Sequence, residues 1–311
     1  MQNLLRLIYA TLLISNVTQA SILGRSLAIT FDDAPRDSGN IFTGSERTKF
    51  LIEQLHRSQI KQAAFFCNTE NLGRSDKARL EQYANAGHLI ANHTHRHADL
   101  DQVTIEDFIG EIDTAHEFLK DFTNFRLLFR FPYLREGNTK TKRNGIRKAL
   151  AQRRYRDGYV TINNSDWFME NLVQDALSAG IKINFKRLQQ TYVSVLINNI
   201  EFYDAMAQRT LGRSPKHVLL LHENDLAALF IFDLTKELTH RGWSITSVDD
   251  AYTDPIAQQE PETLFSGQGR IAALAYQQGD TGTFAIWESE EAIENLFQKN
   301  KIFETTTPPE N

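Results

Sequence analysis

Seven short apolar runs punctuate the chain between residues 26 and 248, and a longer amphipathic stretch follows most of them. The runs are Ser26–Phe31, Gln62–Cys67, His88–Asn92, Arg126–Phe131, Gly158–Ile162, His217–Leu221 and Trp243–Val248. Each is too short for a stable helix and reads as a strand. The stretches between them are long enough for helices. The clearest helix follows Thr104, which forms a capping box with Asp107. Ile105, Phe108, Ile109, Ile112, His116 and Leu119 then recur at helical spacing. Strands alternating with helices imply βαβ units and a parallel sheet. Seven such strands predict a barrel-like α/β domain, with an open doubly wound sheet as the alternative.

Two regions break this rhythm. Residues 166–209 form a long, mostly helical insertion between strands five and six. Beyond Asp254 the alternation stops, and only a short helix over residues 288–300 is expected before a Thr- and Pro-rich end that reads as a disordered tail. At the other end, Arg6 precedes the apolar run from Leu7 to Ile14. Thr18 and Ala20 then supply the small residues that a signal peptidase reads. The expected organisation is a signal peptide over 1–20, a main domain over 21–254 and a C-terminal extension with tail over 255–311. The N-terminal run is much shorter than the ~20 residues needed to cross a bilayer. No stable membrane span is therefore expected, and the protein is expected to be exported, periplasmic or secreted.

A net charge of -5 over 311 residues argues against nonspecific nucleic-acid binding, which needs a concentrated basic surface. Lys140, Lys142, Arg143, Arg147 and Lys148 read as one solvated helix face. Cys67 is the only cysteine, so no intrachain disulfide can form. Its apolar neighbours point to a buried, inert thiol.

The polar residues of interest fall at the C-terminal ends of the predicted strands, the edge where parallel α/β folds gather their ligand sites. Asp32 and Asp33 close the first strand. Adjacent side chains on extended backbone point to opposite faces, so the two carboxylates can hold different roles; a turn or helix cap is the plainer alternative. His93, His95 and His97 follow the third strand. One helical turn would put His93 and His97 on one side, a suitable pair for a divalent ion. His95 replaces His97 if the segment stays extended. His56, His88, His116 and His240 are isolated and read as structural or solvated. Asp33 with two histidines makes a three-ligand set that leaves positions open, as in catalytic zinc sites. Such an ion activates water and polarises a carbonyl, and Asp32 is placed to accept a proton. Arg130 after strand four can orient a carboxylate. Asp166 and Trp167 follow strand five, where Asp166 can orient another polar group and Trp167 can line a sugar-sized groove. His222 closes strand six, with a side chain suited to general acid work.

In this order the clusters resemble the polysaccharide deacetylases, the NodB-homology or carbohydrate esterase family 4. The matching strings are Thr30-Phe31-Asp32-Asp33, His93-Thr94-His95-Arg96-His97, Arg130-Phe131-Pro132-Tyr133, Ser165-Asp166-Trp167 and Leu220-Leu221-His222. The resemblance covers Ser26 to Tyr252. It implies a distorted, incomplete (β/α)7 barrel, here with the helical insertion and C-terminal extension. It also implies that Asp33, His93 and His97 hold a divalent metal, zinc first, with cobalt or nickel as alternatives. Asp32 would be the general base, oriented by Arg130, and His222 the general acid, tuned by Asp166. The Tyr133 backbone N–H would stabilise the oxyanion, and Trp167 would line the substrate groove. Three departures fall on the groove wall: Phe131 stands where a second proline is common, Leu134 replaces a glycine, and Asn163 or Asn164 replaces an aspartate.

The implied function is removal of N-acetyl groups from amino sugars in peptidoglycan, a chitin-like polymer or an N-acetylglucosamine exopolysaccharide. The rivals are an O-acetyl polysaccharide esterase and a catalytically silent carbohydrate-binding protein. Asn92-His93-Thr94 and Asn163-Asn164-Ser165 are glycosylation patterns that overlap the candidate site. A glycan there would block access, which favours a bacterial exported protein.

Overall fold

Strand β1 (Ser26–Ala34) lies at the heart of a parallel sheet in the computed structural model, which describes residues 24–304. The other strands are β2 (Ala64–Cys67), β3 (Leu89–Asn92), β4 (Phe125–Phe129), β5 (Arg156–Asp157), β6 (Lys216–His222) and β7 (Ser244–Ile245). Their order is β5-β4-β3-β2-β1-β6, and β7 pairs with the start of β1. β1 is an apolar run because both its faces are covered: Leu27, Ala28, Ile29 and Phe31 are all fully buried. Phe31 stacks on Phe65 of β2 at 5.0 Å. Cys67 closes β2, also fully buried.

The helices are α1 (Gly44–Arg57), α2 (Arg74–Asn85), α3 (Ile105–Leu119), α4 (Lys140–Gln152), α5 (Asp166–Ser178), α6 (Phe185–Leu211), α7 (Asp225–His240), α8 (Val248–Ala251), α9 (Arg270–Gln277) and α10 (Glu290–Lys299). The helix expected after Thr104 is α3. Thr104 Oγ1 accepts the Asp107 N–H, while the Asp107 carboxylate takes the Thr104 hydroxyl in place of its backbone N–H. Phe108, Ile112 and Leu119 are buried along one face. The helical insertion is α5 and α6, and a wholly buried stripe from Leu188 to Tyr203 ties α6 into the main core.

The fold is the expected distorted, incomplete barrel, and the fifth segment shows how it is incomplete. Residues 158–162 do not form the predicted strand, because their hydrogen bonds go elsewhere. The ladder with β4 ends at Asp157. The Val160 carbonyl then accepts the Arg270 N–H, and the Thr161 and Ile162 N–H groups turn to Val218 of β6. Ile162 and Leu219 make a single parallel bridge, so the ring between the sheet's two ends closes at a point instead of along a ladder. Gly158 permits this crossing: a Cβ there would lie 2.5 Å from the Phe66 ring. The predicted seventh strand shrinks to Ser244–Ile245 because Ser247 caps α8.

The residues after Asp254 join the same core. Ile271 and Leu274 of α9, with Ile293 and Phe297 of α10, pack into the main cluster. Asn184 N–H donates to the Ile302 carbonyl at 2.8 Å, and Glu304 N–H to the Lys182 carbonyl at 2.9 Å, so the extension is pinned to the insertion. The expected helix over 288–300 is α10. It starts two residues later because Ser289 is its cap and Ile286–Glu288 forms a separate 3-10 turn. Helix α9 was not apparent in the sequence. The signal-peptide segment and the tail lie outside the described residues. No described helix is long and apolar enough to cross a membrane.

Candidate active site

Most of the sequence-predicted site residues lie at or just beyond the C-terminal ends of strands; Asp166 and Trp167 instead open helix α5, after the bridge at Ile162. At the end of β1 the register shifts between Phe31 and Ala34, and Asp33 takes a positive φ of 63°. This irregularity gives the two carboxylates different partners: only Asp32 meets Arg130, and only Asp33 meets His97. Asp33 Oδ1 lies 3.7 Å from His93 Nε2 and 3.5 Å from His97 Nε2. One donor atom from each of Asp33, His93 and His97 falls within 4.8 Å of the others.

The histidine pair meets without the helical turn expected from its spacing. Residues 93–97 form an irregular bend, with Thr94 at φ 70° and His97 at φ 55°. The backbone reversal brings the two rings to 4.9 Å. His95 leaves the cluster: its Nδ1 lies 2.8 Å from Thr69 Oγ1, and its ring stacks on Phe118.

The cluster fits a divalent ion on three counts. Asp33 Oδ1 is buried and has no hydrogen-bond partner. His93 Nδ1 lies 2.9 Å from the Arg130 carbonyl, which can only accept, so Nδ1 carries a proton and Nε2 is the ring atom that faces Asp33. Burial, with His93 adding to it, pushes His97 down to about 4, which keeps a neutral ligand imidazole at neutral pH. Burial opposes the Asp33 carboxylate, but the charges of His222, His93, His97 and Arg36 outweigh it and hold its pKa below the usual value.

Asp32 spans the cluster and the protein behind it, with Oδ2 3.8 Å from His93 Nε2. Its Oδ1 accepts from Arg130 Nη1 at 2.5 Å. Arg130 engages four of its five N–H donors. Nε donates to the Gly158 carbonyl at 2.8 Å, Nη1 also to Thr30 Oγ1 at 2.8 Å, and Nη2 to the Tyr252 hydroxyl at 3.2 Å. The guanidinium lies 3.8 Å over the Phe66 ring. Burial disfavours its charge, but Asp32 and Tyr252 reverse that and raise its pKa. Thr30 and Tyr252 were not singled out in the sequence, and Tyr252 carries no local signal there.

Asp166 opens α5 and is wholly buried. Its carboxylate accepts from the His222 N–H at 2.9 Å and faces His222 Nδ1 at 2.7 Å. Burial lowers the His222 pKa, and the Asp166 charge and hydrogen bond overcome this to raise it. Next to His222, Glu223 is a further buried carboxylate. It accepts from Arg79, Arg47, the Tyr83 hydroxyl at 2.7 Å and the Arg36 N–H at 2.8 Å. Its own N–H donates to the Asp32 carbonyl at 3.1 Å. Glu223 thus ties β6 to the segment after Asp33, a role its position beside His222 could have flagged.

Tyr133 sits in a 3-10 turn (Pro132–Leu134) at φ 56°, its half-exposed ring meeting His97 edge-on at 4.6 Å. Trp167 is partly exposed in the first turn of α5. A cleft of about 660 Å³ opens beside Asp33 and His97, with Arg36, Asn68, Glu170 and Gln174 among its walls. Trp167 and Tyr133 stand outside that lining. Asn92 is wholly buried and its amide donates to the Ile112 carbonyl and the Tyr155 hydroxyl, so this glycosylation pattern presents no free acceptor.

Residues 22–155 match the sequence profile described as polysaccharide deacetylase. That match covers less than half of the 311-residue chain. A peptidoglycan-N-acetylglucosamine deacetylase of Bacillus cereus is 31% identical over 108 residues, covering 34% of this chain and 36% of that one. A chitin deacetylase of Arthroderma benhamiae is 26% identical over 175 residues, covering 55% and 42%. The chain thus spans about two fifths of the length of the curated relatives it matches. Among solved structures, a polysaccharide deacetylase from Bacillus cereus superposes with a TM-score of 0.52 at 16% identity, covering 72% of this chain and 91% of that one. A family 4 carbohydrate esterase from Streptomyces lividans gives 0.50 at 17% identity, covering 74% and 96%. These likenesses carry the fold. The family match ends at residue 155, before Asp166 and His222, which the fold brings to the same rim.

Proposed function

We propose that the protein is a zinc-dependent hydrolase that removes N-acetyl groups from the amino sugars of an extracytoplasmic polysaccharide. The single observation that carries this reading is the convergence of three parts at one rim: the Asp33–His93–His97 cluster, the Asp32–Arg130 pair and the Asp166–His222 pair. Asp33, His93 and His97 would hold a zinc ion, which would supply a Lewis acid for an acyl oxygen and a lowered pKa for water. Asp32, fixed in orientation by Arg130, accepts the proton of the attacking water. The backbone N–H of Tyr133 donates to the developing oxyanion. His222 delivers a proton to the departing sugar amine, and Asp166 orients its ring through Nδ1. Trp167 offers an apolar face beside this pair for a sugar ring.

The residues of the proposed chemistry all lie within a main domain over residues 21–254, and 255–311 follow it as a C-terminal extension and tail. The names of the relatives support N-acetylglucosamine in peptidoglycan or chitin as the substrate class, and the N-terminal sequence supports export. The test is acetate release from N-acetylated and O-acetylated polymers, with mature protein stripped of metal and then given zinc. Zinc-dependent release from an N-acetylglucosamine polymer is expected. Release only from O-acetylated polymers would make the protein an esterase, and glycan binding without release would make it a silent binding protein.

A further inference from the structure

Glu288 lies far along the chain from every residue of the proposed chemistry, yet it grips the loop that leads into Asp166. Its backbone carbonyl accepts from Ser165 Oγ at 3.0 Å. Its carboxylate accepts from Asn163 Nδ2 at 3.1 Å and from the Tyr203 hydroxyl of α6 at 2.6 Å. Ser165 is the N-cap of α5, where a serine hydroxyl ordinarily accepts from the first turn of its own helix. Here it makes no such cap bond, and its proton goes to Glu288 instead. Between these two contacts, Asn164 completes the hold: its Oδ1 accepts the Asp166 N–H at 2.8 Å and its amide donates to the Leu220 carbonyl, two residues before His222.

The same extension touches the opposite side of the rim. Gly267 N–H donates to the Leu134 carbonyl at 3.1 Å, directly after Tyr133. Gly269, at φ 85°, lets the chain lie against Val160, whose carbonyl would be 2.6 Å from any Cβ there. Residues 267–288 therefore bridge the Tyr133 turn and the Asn163–Ser165 loop, and both ends of the bridge are fixed by hydrogen bonds.

We propose that Glu288 is a positioning residue for the Asp166–His222 pair, so that the C-terminal extension completes the catalytic unit. This rests on the reading of that pair as the proton donor to the leaving amine. Glu288 touches neither substrate nor metal ligands in this account. It sets the loop from which Asp166 reaches His222, and a small displacement of such a group is costly in rate.

The test compares Glu288→Ala with Glu288→Gln in the full mature chain. Glu288→Ala removes both side-chain contacts, whereas Gln keeps an acceptor for Tyr203, and Asn163 can turn its amide to meet it. Turnover of a soluble N-acetylglucosamine oligomer by Glu288→Ala is expected to fall about 10–100-fold in kcat. KM and zinc content are expected to stay near wild type, and Glu288→Gln to recover most of the rate. The low-field proton resonance of His222 Nδ1–H, assigned by its loss in His222→Gln, is expected to move in Glu288→Ala and return in Glu288→Gln. An unchanged kcat and resonance in folded Glu288→Ala would overturn the proposal, as would equal losses in both variants. If Glu288→Ala does not fold, Tyr203→Phe carries the same comparison, and wild-type kcat and resonance in that variant would overturn it. Should the wild type release no acetate from any polymer, the deacetylation reading fails while the resonance still reports whether Glu288 sets the pair.

Discussion

His222 and Asp166 hold each other twice: one carboxylate faces the ring Nδ1 at 2.7 Å and accepts the backbone N–H at 2.9 Å. Side chain and main chain of the histidine are thus fixed by a single group. Asp166→Asn keeps the shape but removes the charge that favours the protonated ring. It is expected to lower turnover about 10²–10⁴-fold, the range of a lost acid–base contribution. Circular dichroism and zinc content should match wild type. Near-normal turnover would take His222 out of the proton transfer.

Asp32 and Arg130 form a buried pair with 4% and 1% of their side chains exposed. Removing one partner of such a pair leaves the other charged and alone, at a cost of about 3–5 kcal/mol. Arg130→Met is therefore expected to lower the urea midpoint substantially, because it also removes the Nε–H that the Gly158 carbonyl accepts. A loss under about 1 kcal/mol would mean that Asp32 is well solvated without its partner.

Glu288 gives the stability a pH signature. Burial raises its pKa from the ordinary 4.5 to about 7, against the hydrogen bonds from Tyr203 and Asn163. Between those two values the folded state holds a proton that the unfolded state has released. Stability conferred by this group is therefore full below the unfolded value, falls as pH rises through the window, and is flat above it. The whole effect is on the order of 3 kcal/mol. Glu288→Gln cannot titrate, so its stability relative to wild type should rise from pH 4.5 to 7 and then level off. Chemical denaturation across that range would show it, and parallel pH curves for the two proteins would contradict it.

The parts of the site that were legible in the sequence are those written in short local strings. Asp32-Asp33, His93 to His97, Arg130, Asp166 and His222 each sit where an apolar run ends, and a parallel sheet must bring such ends to one edge. What the strings could not convey was backbone hand. His93 and His97 meet through two positive-φ residues, a conformation that no spacing rule anticipates. Residues 158–162 looked like a strand because they are apolar, but apolarity does not say which neighbour takes the hydrogen bonds. Tyr252 and Glu288 were illegible for another reason. Each reaches its partner across more than 120 positions of chain, with nothing local to mark it.

Cys67 lies at the end of β2 with no surface exposed, and burial raises its thiol pKa. It is the thiolate that attacks thiol reagents, so the folded protein is expected to ignore them. The chain comes, in effect, already prepared for site-specific chemistry. A cysteine introduced at Phe284, 58% exposed and four residues before Glu288, would be the sole site a maleimide dye could reach. Fluorescence from that one position could follow the extension against its rim with the native cysteine left in place.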